Sequence, residues 1–296
     1  MSHRRTPATL LLVGVLAAGC STGSSTPVAS PAADASESAP SQVPTAEPTP
    51  RPLPTAGEFP SPLVSGLRTE TDVPFTTALP CAAGECEVPL DVLAPGAGHA
   101  LPTIVLLPGG PTSFTSRRYL ENLAAGLAQR GAVVFLATYR SIDTGNSIED
   151  SLHDVRCALR YARSSTGDYG GDPERLVLVG HSYGSALALQ TGVDTEAATD
   201  GCLADENGIP DAVVGLAGFS VDLSAAAASG PPFLLVSGSE DRAAALGEGT
   251  AEELSGAGFE ATYVELEGID HPGIVEPVDA PSVLDMILAA ASLPAT

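Results

Sequence analysis

The residues best suited to chemistry in this chain are a serine, a few histidines and several carboxylates at telling positions. Ser182 stands in Gly180-His181-Ser182-Tyr183-Gly184, a G-x-S-x-G pattern. A serine hydroxyl is a poor nucleophile near neutral pH, so an imidazole must take its proton and a carboxylate must steady that imidazole. Five histidines are available. His3 belongs to the N-terminal leader, His99 to a loop before the central strands, and His153 to a helix face. His181 adjoins the serine, so its side chain should point elsewhere. His271 remains, in Gly268-Ile269-Asp270-His271-Pro272. The carboxylates that follow late strands are Asp222, Glu240 and Asp241. Together these residue types suit acyl transfer through a covalent intermediate.

G-x-S-x-G alone is weak evidence, since Gly19-Cys20-Ser21-Thr22-Gly23 matches as well. Context separates the two. Only the match at 180–184 follows an apolar run, Arg175–Val179, and opens a helix, Ser185–Gln190. A strand, a tight glycine-flanked turn and a helix lift the serine hydroxyl above a sheet edge.

The elements that must carry these residues read as an alternating series. Strands are predicted at Glu87–Ala94, Thr103–Leu107, Val133–Tyr139, Leu176–Val179, Ala212–Ala217, Phe233–Ser237 and Ala261–Leu266. Helical spacing runs from Tyr119 to Leu127, over about 147–164 and 243–256, and from Val283 to Ala291. Short apolar strands alternating with helices imply a doubly wound, mostly parallel α/β sheet covered on both faces. Chemistry in such sheets sits at the carboxyl ends of the strands.

With the serine turn, the sheet pattern and Gly171-Asp172-Pro173-Glu174-Arg175 before the serine strand, residues about 86–292 resemble an α/β-hydrolase of the carboxylesterase or dienelactone-hydrolase-like branch. The resemblance implies a triad in the order Ser182, Asp241, His271. Asp241 takes the carboxylate place in Gly238-Ser239-Glu240-Asp241, with Glu240 as fallback and Asp222 as a third choice. It also implies an oxyanion hole from the Tyr183 N–H and the loop Pro108-Gly109-Gly110-Pro111, where related esterases often carry His-Gly-Gly. Pro111 has no N–H, so Gly110 is the leading donor, with Gly109 or Thr112 as alternatives. About a dozen residues separate Ala217 from Phe233, so no large cap domain is expected, and loops at about 111–118, 139–147 and 195–210 should shape the site. Tyr139 and Arg140 end a strand at that edge, where they would touch substrate or form an ion pair.

The N-terminus reads as an address. Arg4 and Arg5 precede the apolar run Leu10–Ala18, which is too short to span a bilayer. Leu16-Ala17-Ala18-Gly19-Cys20 resembles the lipobox of bacterial lipoproteins, which implies removal of residues 1–19 and a lipid on Cys20. Residues 20–62 are rich in Pro, Ser and Ala and read as a disordered tether ahead of a hydrolase domain at 63–296. The expected placement is the extracytoplasmic face of a membrane, or secretion.

A net charge of −23, with thirteen basic residues that are all arginine, argues against a nucleic-acid partner. Without Cys20, four cysteines remain. Cys81 and Cys86 enclose a short loop and should pair, leaving Cys157 with Cys202. No spacing suggests a metal site, and the chemistry calls for no cofactor. The expected substrate is a small-molecule or lipid-like ester. The rival readings are a non-catalytic surface lipoprotein on a hydrolase scaffold and a transporter's substrate-binding protein.

Overall fold

The computed structural model describes residues 66–110, 116–194, 200–224, 226–227 and 229–292. The leader, Cys20, the tether and Thr112 lie outside the described residues.

Among the described residues the strands are β1 (Leu67–Pro74), β2 (Leu79–Cys81), β3 (Gly84–Cys86), β4 (Pro89–Pro95), β5 (Leu101–Leu107), β6 (Val133–Ala137), β7 (Gly171–His181), β8 (Ala212–Leu216), β9 (Phe233–Gly238) and β10 (Ala261–Leu266). The α-helices among the described residues are α1 (Glu121–Gln129), α2 (Ile148–Ser165), α3 (Tyr183–Val193), α4 (Ala244–Gly256) and α5 (Pro281–Ala290). Eight strands form one sheet in the order β1-β4-β6-β5-β7-β8-β9-β10, and β2 with β3 makes a separate hairpin. From β6 to β10 all neighbours are parallel, whereas β4 runs antiparallel to both β1 and β6.

The central strands are apolar because both of their faces are covered. Val133–Ala137 and Ala212–Leu216 are buried at every position. Alternate side chains feed two cores. Val105, Phe135, Leu178 and Val213 pack on the face that carries α2, α3 and Leu254 of α4. Ile104, Val134, Val179 and Val214 pack on the other face, with α1 and α5. Helix α2 starts where Ser147 and Asp150 satisfy each other's main-chain N–H groups in a capping box.

The strands predicted from the apolar runs are all present, with differences in extent and three further strands; β6 stops at Ala137, so Tyr139 and Arg140 lie beyond the strand and not at its end. Strand β7 begins at Gly171, well before the apolar run, because Leu101 pairs with Gly171 across a register irregularity. Strands β1, β2 and β3 had no clear signature. Leu67–Pro74 is half exposed and charged, and becomes a strand because the edge of β4 offers it a partner. Among the described residues between β8 and β9 there is no helix, so the sheet carries no large cap there. No described helix is long and apolar enough to cross a membrane.

Candidate active site

Strand β7 ends at His181 and α3 begins at Tyr183, leaving Ser182 alone on the turn. Its φ of 55° and ψ of −119° lie in a region that non-glycine residues seldom occupy. The turn is held from both sides: the Ser182 N–H donates to Leu216 O of β8 at 2.8 Å, and Ser182 O accepts from Ser185 N at 3.0 Å. The flanking glycines are required by space. A Cβ on Gly180 would strike the Gly184 carbonyl, and one on Gly184 would lie 2.8 Å from Leu107 O.

Beyond β9, Asp241 is fixed by its own N–H to Gly238 O at 3.0 Å and by the Ala243 N–H, which donates to Asp241 Oδ1 at 2.9 Å. Asp241 Oδ2 accepts the His271 Nδ1–H at 2.6 Å. On the far side of the same ring, Nε2 is 3.0 Å from Ser182 Oγ. The structure therefore joins Asp241, His271 and Ser182 in one hydrogen-bonded line. Burial pushes the Asp241 carboxyl upward, but the hydrogen bonds from His271 and Ala243 outweigh it and hold the group below the usual carboxylate range. The rival carboxylates lie elsewhere. Glu240 is exposed and contributes its main-chain N–H to Ile269 O at 3.1 Å. Asp222 accepts from Ser224 N, and its main chain pairs with Gln190.

The loop after β5 lies directly against the nucleophile: a Cβ on Gly109 would stand 2.6 Å from Ser182 Cβ. Two buried tyrosines hold it. Tyr139 donates its hydroxyl hydrogen to Pro108 O at 2.8 Å, and the same hydroxyl oxygen stands 3.2 Å from Gly110 O. The Gly109 N–H donates to the Tyr119 hydroxyl, so it is already engaged. Gly110 sits at φ +73°, a left-handed conformation that costs glycine little. Tyr183 opens α3, where main-chain N–H groups have no partner within the helix.

Other sequence candidates have structural parts. Arg140 is buried and pairs with Asp154 at 2.9 Å, while also donating to Pro80 O at 2.9 Å. His153 Nε2 donates to Asp200 O at 2.8 Å. Cys81 is bonded to Cys86 and Cys157 to Cys202. His153, Cys157 and Cys202 stand together, but both sulfurs belong to the disulfide and no thiolate remains for a metal. Tyr119 and His181 carry no site signal in the sequence: the first sits in an apolar repeat, and the second adjoins the serine within the turn.

This sheet order, with helices on both faces and the serine on the turn after β7, is the α/β-hydrolase fold. A truncated carbohydrate esterase from gut microbiota has the same fold, with a TM-score of 0.62 at 18% identity, covering 76% of this chain and 97% of the esterase. A family profile described as BD-FAE matches residues 90–220, which include Ser182 and the glycine loop but stop before Asp241 and His271. A probable isoprenylcysteine alpha-carbonyl methylesterase of Oryza sativa subsp. japonica is 32% identical over 90 residues, 30% of this chain and 21% of that protein. A probable carboxylic ester hydrolase of Mycobacterium tuberculosis is 31% identical over 88 residues, 29% of this chain and 20% of that one. The chain thus matches about a fifth of the length of these curated relatives.

Proposed function

We propose that this chain is an extracytoplasmic serine hydrolase that cleaves ester bonds through an acyl-enzyme on Ser182. The observation that carries the reading is the line Asp241–His271–Ser182, with contacts of 2.6 and 3.0 Å. The esterase and methylesterase names of the relatives support the same reaction class.

In this scheme His271 Nε2 takes the Ser182 proton as Oγ bonds to the ester carbonyl carbon. The carbonyl oxygen becomes an oxyanion, held by the Gly110 and Tyr183 N–H groups. Asp241 keeps the imidazole in the tautomer with Nδ1 protonated, and stabilises the imidazolium. Collapse breaks the bond to the alcohol, which leaves with the proton from Nε2. Water then attacks the acyl-enzyme by the reverse sequence, releasing the acid and restoring Ser182. The scheme draws on no metal or cofactor. The substrate in this reading is a small-molecule or lipid-like ester, in keeping with the esterase names of the relatives. The lipobox-like Leu16–Cys20 supports placement on the outer face of a membrane through a lipid on Cys20.

A fluorophosphonate probe offered to the full chain tests this. Ser182 should be labelled, as mapped by peptide mass, and Ser182→Ala should lose the label while keeping its thermal transition. A folded wild type that resists the probe would make the chain a binding protein on a hydrolase scaffold. Metabolic labelling with palmitate, lost in Cys20→Ala, tests the anchor separately.

A further inference from the structure

We propose that His181 and Tyr119 are a positioning pair that ties the oxyanion loop to the main chain of His271, an inference that rests on the esterase reading above.

The two lie outside the triad but are buried between its parts: His181 is fully enclosed and Tyr119 only 6% exposed. The His181 Nδ1 is 2.8 Å from the Tyr119 hydroxyl, and its Nε2 is 3.1 Å from the carbonyl oxygen of His271. The Tyr119 hydroxyl also receives the Gly109 N–H. The polarity of this chain is set by its ends. A carbonyl oxygen only accepts, so His181 Nε2 must carry the hydrogen. A neutral imidazole has one, so Nδ1 accepts, and Tyr119 must be the donor to it. The tyrosine oxygen then accepts from Gly109, which has an N–H to give. Each polar atom has one role, and the opposite tautomer would set the Nε2 lone pair against the His271 carbonyl.

The linkage joins segments that the sheet keeps apart. Gly109 follows β5 and His271 follows β10, with β7, β8 and β9 between those two strands. His181 ends β7 and reaches toward both. Its ring lies 4.8 Å from that of His271, centroid to centroid, tilted by 44°. The anchored Gly109 N–H is followed directly by the peptide that carries the Gly110 N–H, so the hold on Tyr119 restricts the movement of that next peptide. Tyr119 is itself held, because its neighbour Arg117 forms a buried ion pair with Asp91 of β4 at 2.7 Å. Burial, with repulsion from His271 adding to it, lowers the His181 pKa from 6.5 to about 3, so the ring is neutral at working pH. A neutral ring adds no charge opposing the imidazolium that His271 becomes during turnover.

The test combines a spectroscopic and a kinetic reading on the full chain. With histidine labelled by nitrogen-15, wild type should show one ring protonated at Nε2 and bare at Nδ1, unchanged from pH 5 to 9. In Tyr119→Phe its Nδ1 resonance should shift. With p-nitrophenyl acetate, Tyr119→Phe should lower kcat about tenfold or more and leave KM within about twofold, since a misaimed oxyanion donor acts on the transition state. A His181 that titrates in this range, or carries its proton on Nδ1, overturns the pairing even if no variant folds. An active wild type whose Tyr119→Phe keeps its kcat overturns the pair alone. A wild type that neither hydrolyses the ester nor takes the fluorophosphonate overturns the esterase reading, and the pair's catalytic purpose with it.

Discussion

His181 shows how one buried side chain makes the site's stability depend on pH. Its folded pKa of about 3 lies below the ordinary 6.5, first through burial and then through repulsion from His271. Between those values the unfolded chain takes up a proton that the folded protein refuses. The sign follows: the contribution is fully present above pH 6.5 and is lost as pH falls toward 3, by up to about 1.4 kcal/mol per pH unit. Between pH 7 and 5 this amounts to about 2 kcal/mol. Chemical denaturation of wild type and His181→Gln at both pH values checks it. Wild type should lose about that much more stability than the variant, and equal losses would remove His181 as the source. Asp241 also favours neutral pH, because its depressed pKa adds stability that disappears only as pH falls through the acid range.

At the scale of elements, the active edge depends on close approach between backbones. Strand β7, the first turn of α3 and the loop after β5 meet around Gly180, Gly184 and Gly109, where a Cβ would meet main-chain carbonyls or Ser182. Gly184→Ala would press its Cβ against the carbonyls of Leu107 and Pro108, neither of which can move without shifting β5. The expected cost is about 2–4 kcal/mol, together with loss of fluorophosphonate labelling, read by urea unfolding and by gel. Unchanged stability and labelling would mean that the turn has more room than this packing allows. The glycine pattern itself was plain in the sequence, since a sharp strand-to-helix turn is a local requirement.

At the scale of the molecule, two disulfides close loops of different size. Cys81–Cys86 spans 5 positions and closes the β2–β3 hairpin, whose Ala82 N–H meets Asn146 Oδ1 at 3.2 Å. Cys157–Cys202 spans 45 positions and ties α2 to a segment that pairs with Phe75, Thr76 and Thr77. Loop-closure entropy assigns about 4 kcal/mol to the longer loop and about 2 kcal/mol to the shorter. Urea unfolding of Cys157→Ala/Cys202→Ala should therefore show nearly twice the loss seen in Cys81→Ala/Cys86→Ala. Equal losses would show that loop length does not govern the effect here.

The sequence by itself determined the alternation of strands and helices, the serine turn and the short list of partners for it. These rest on hydrophobic periodicity and turn chemistry, which act over a few residues. Both cysteine pairings were also legible, because the hairpin pair stands so close that it leaves the other two for each other. The tertiary structure decided what depends on distant contacts. Asp241 meets His271 30 positions away, whereas Glu240, its neighbour, points to solvent. The Gly109 N–H is committed to the Tyr119 hydroxyl, a contact that spacing alone does not reveal. Strand β1 exists because β4 has an open edge. Tyr119 and His181 acquire their roles across 62 positions, and His181 reaches His271 across 90. Side-chain type says what a residue can donate or accept, but only the folded chain brings a partner within 3 Å.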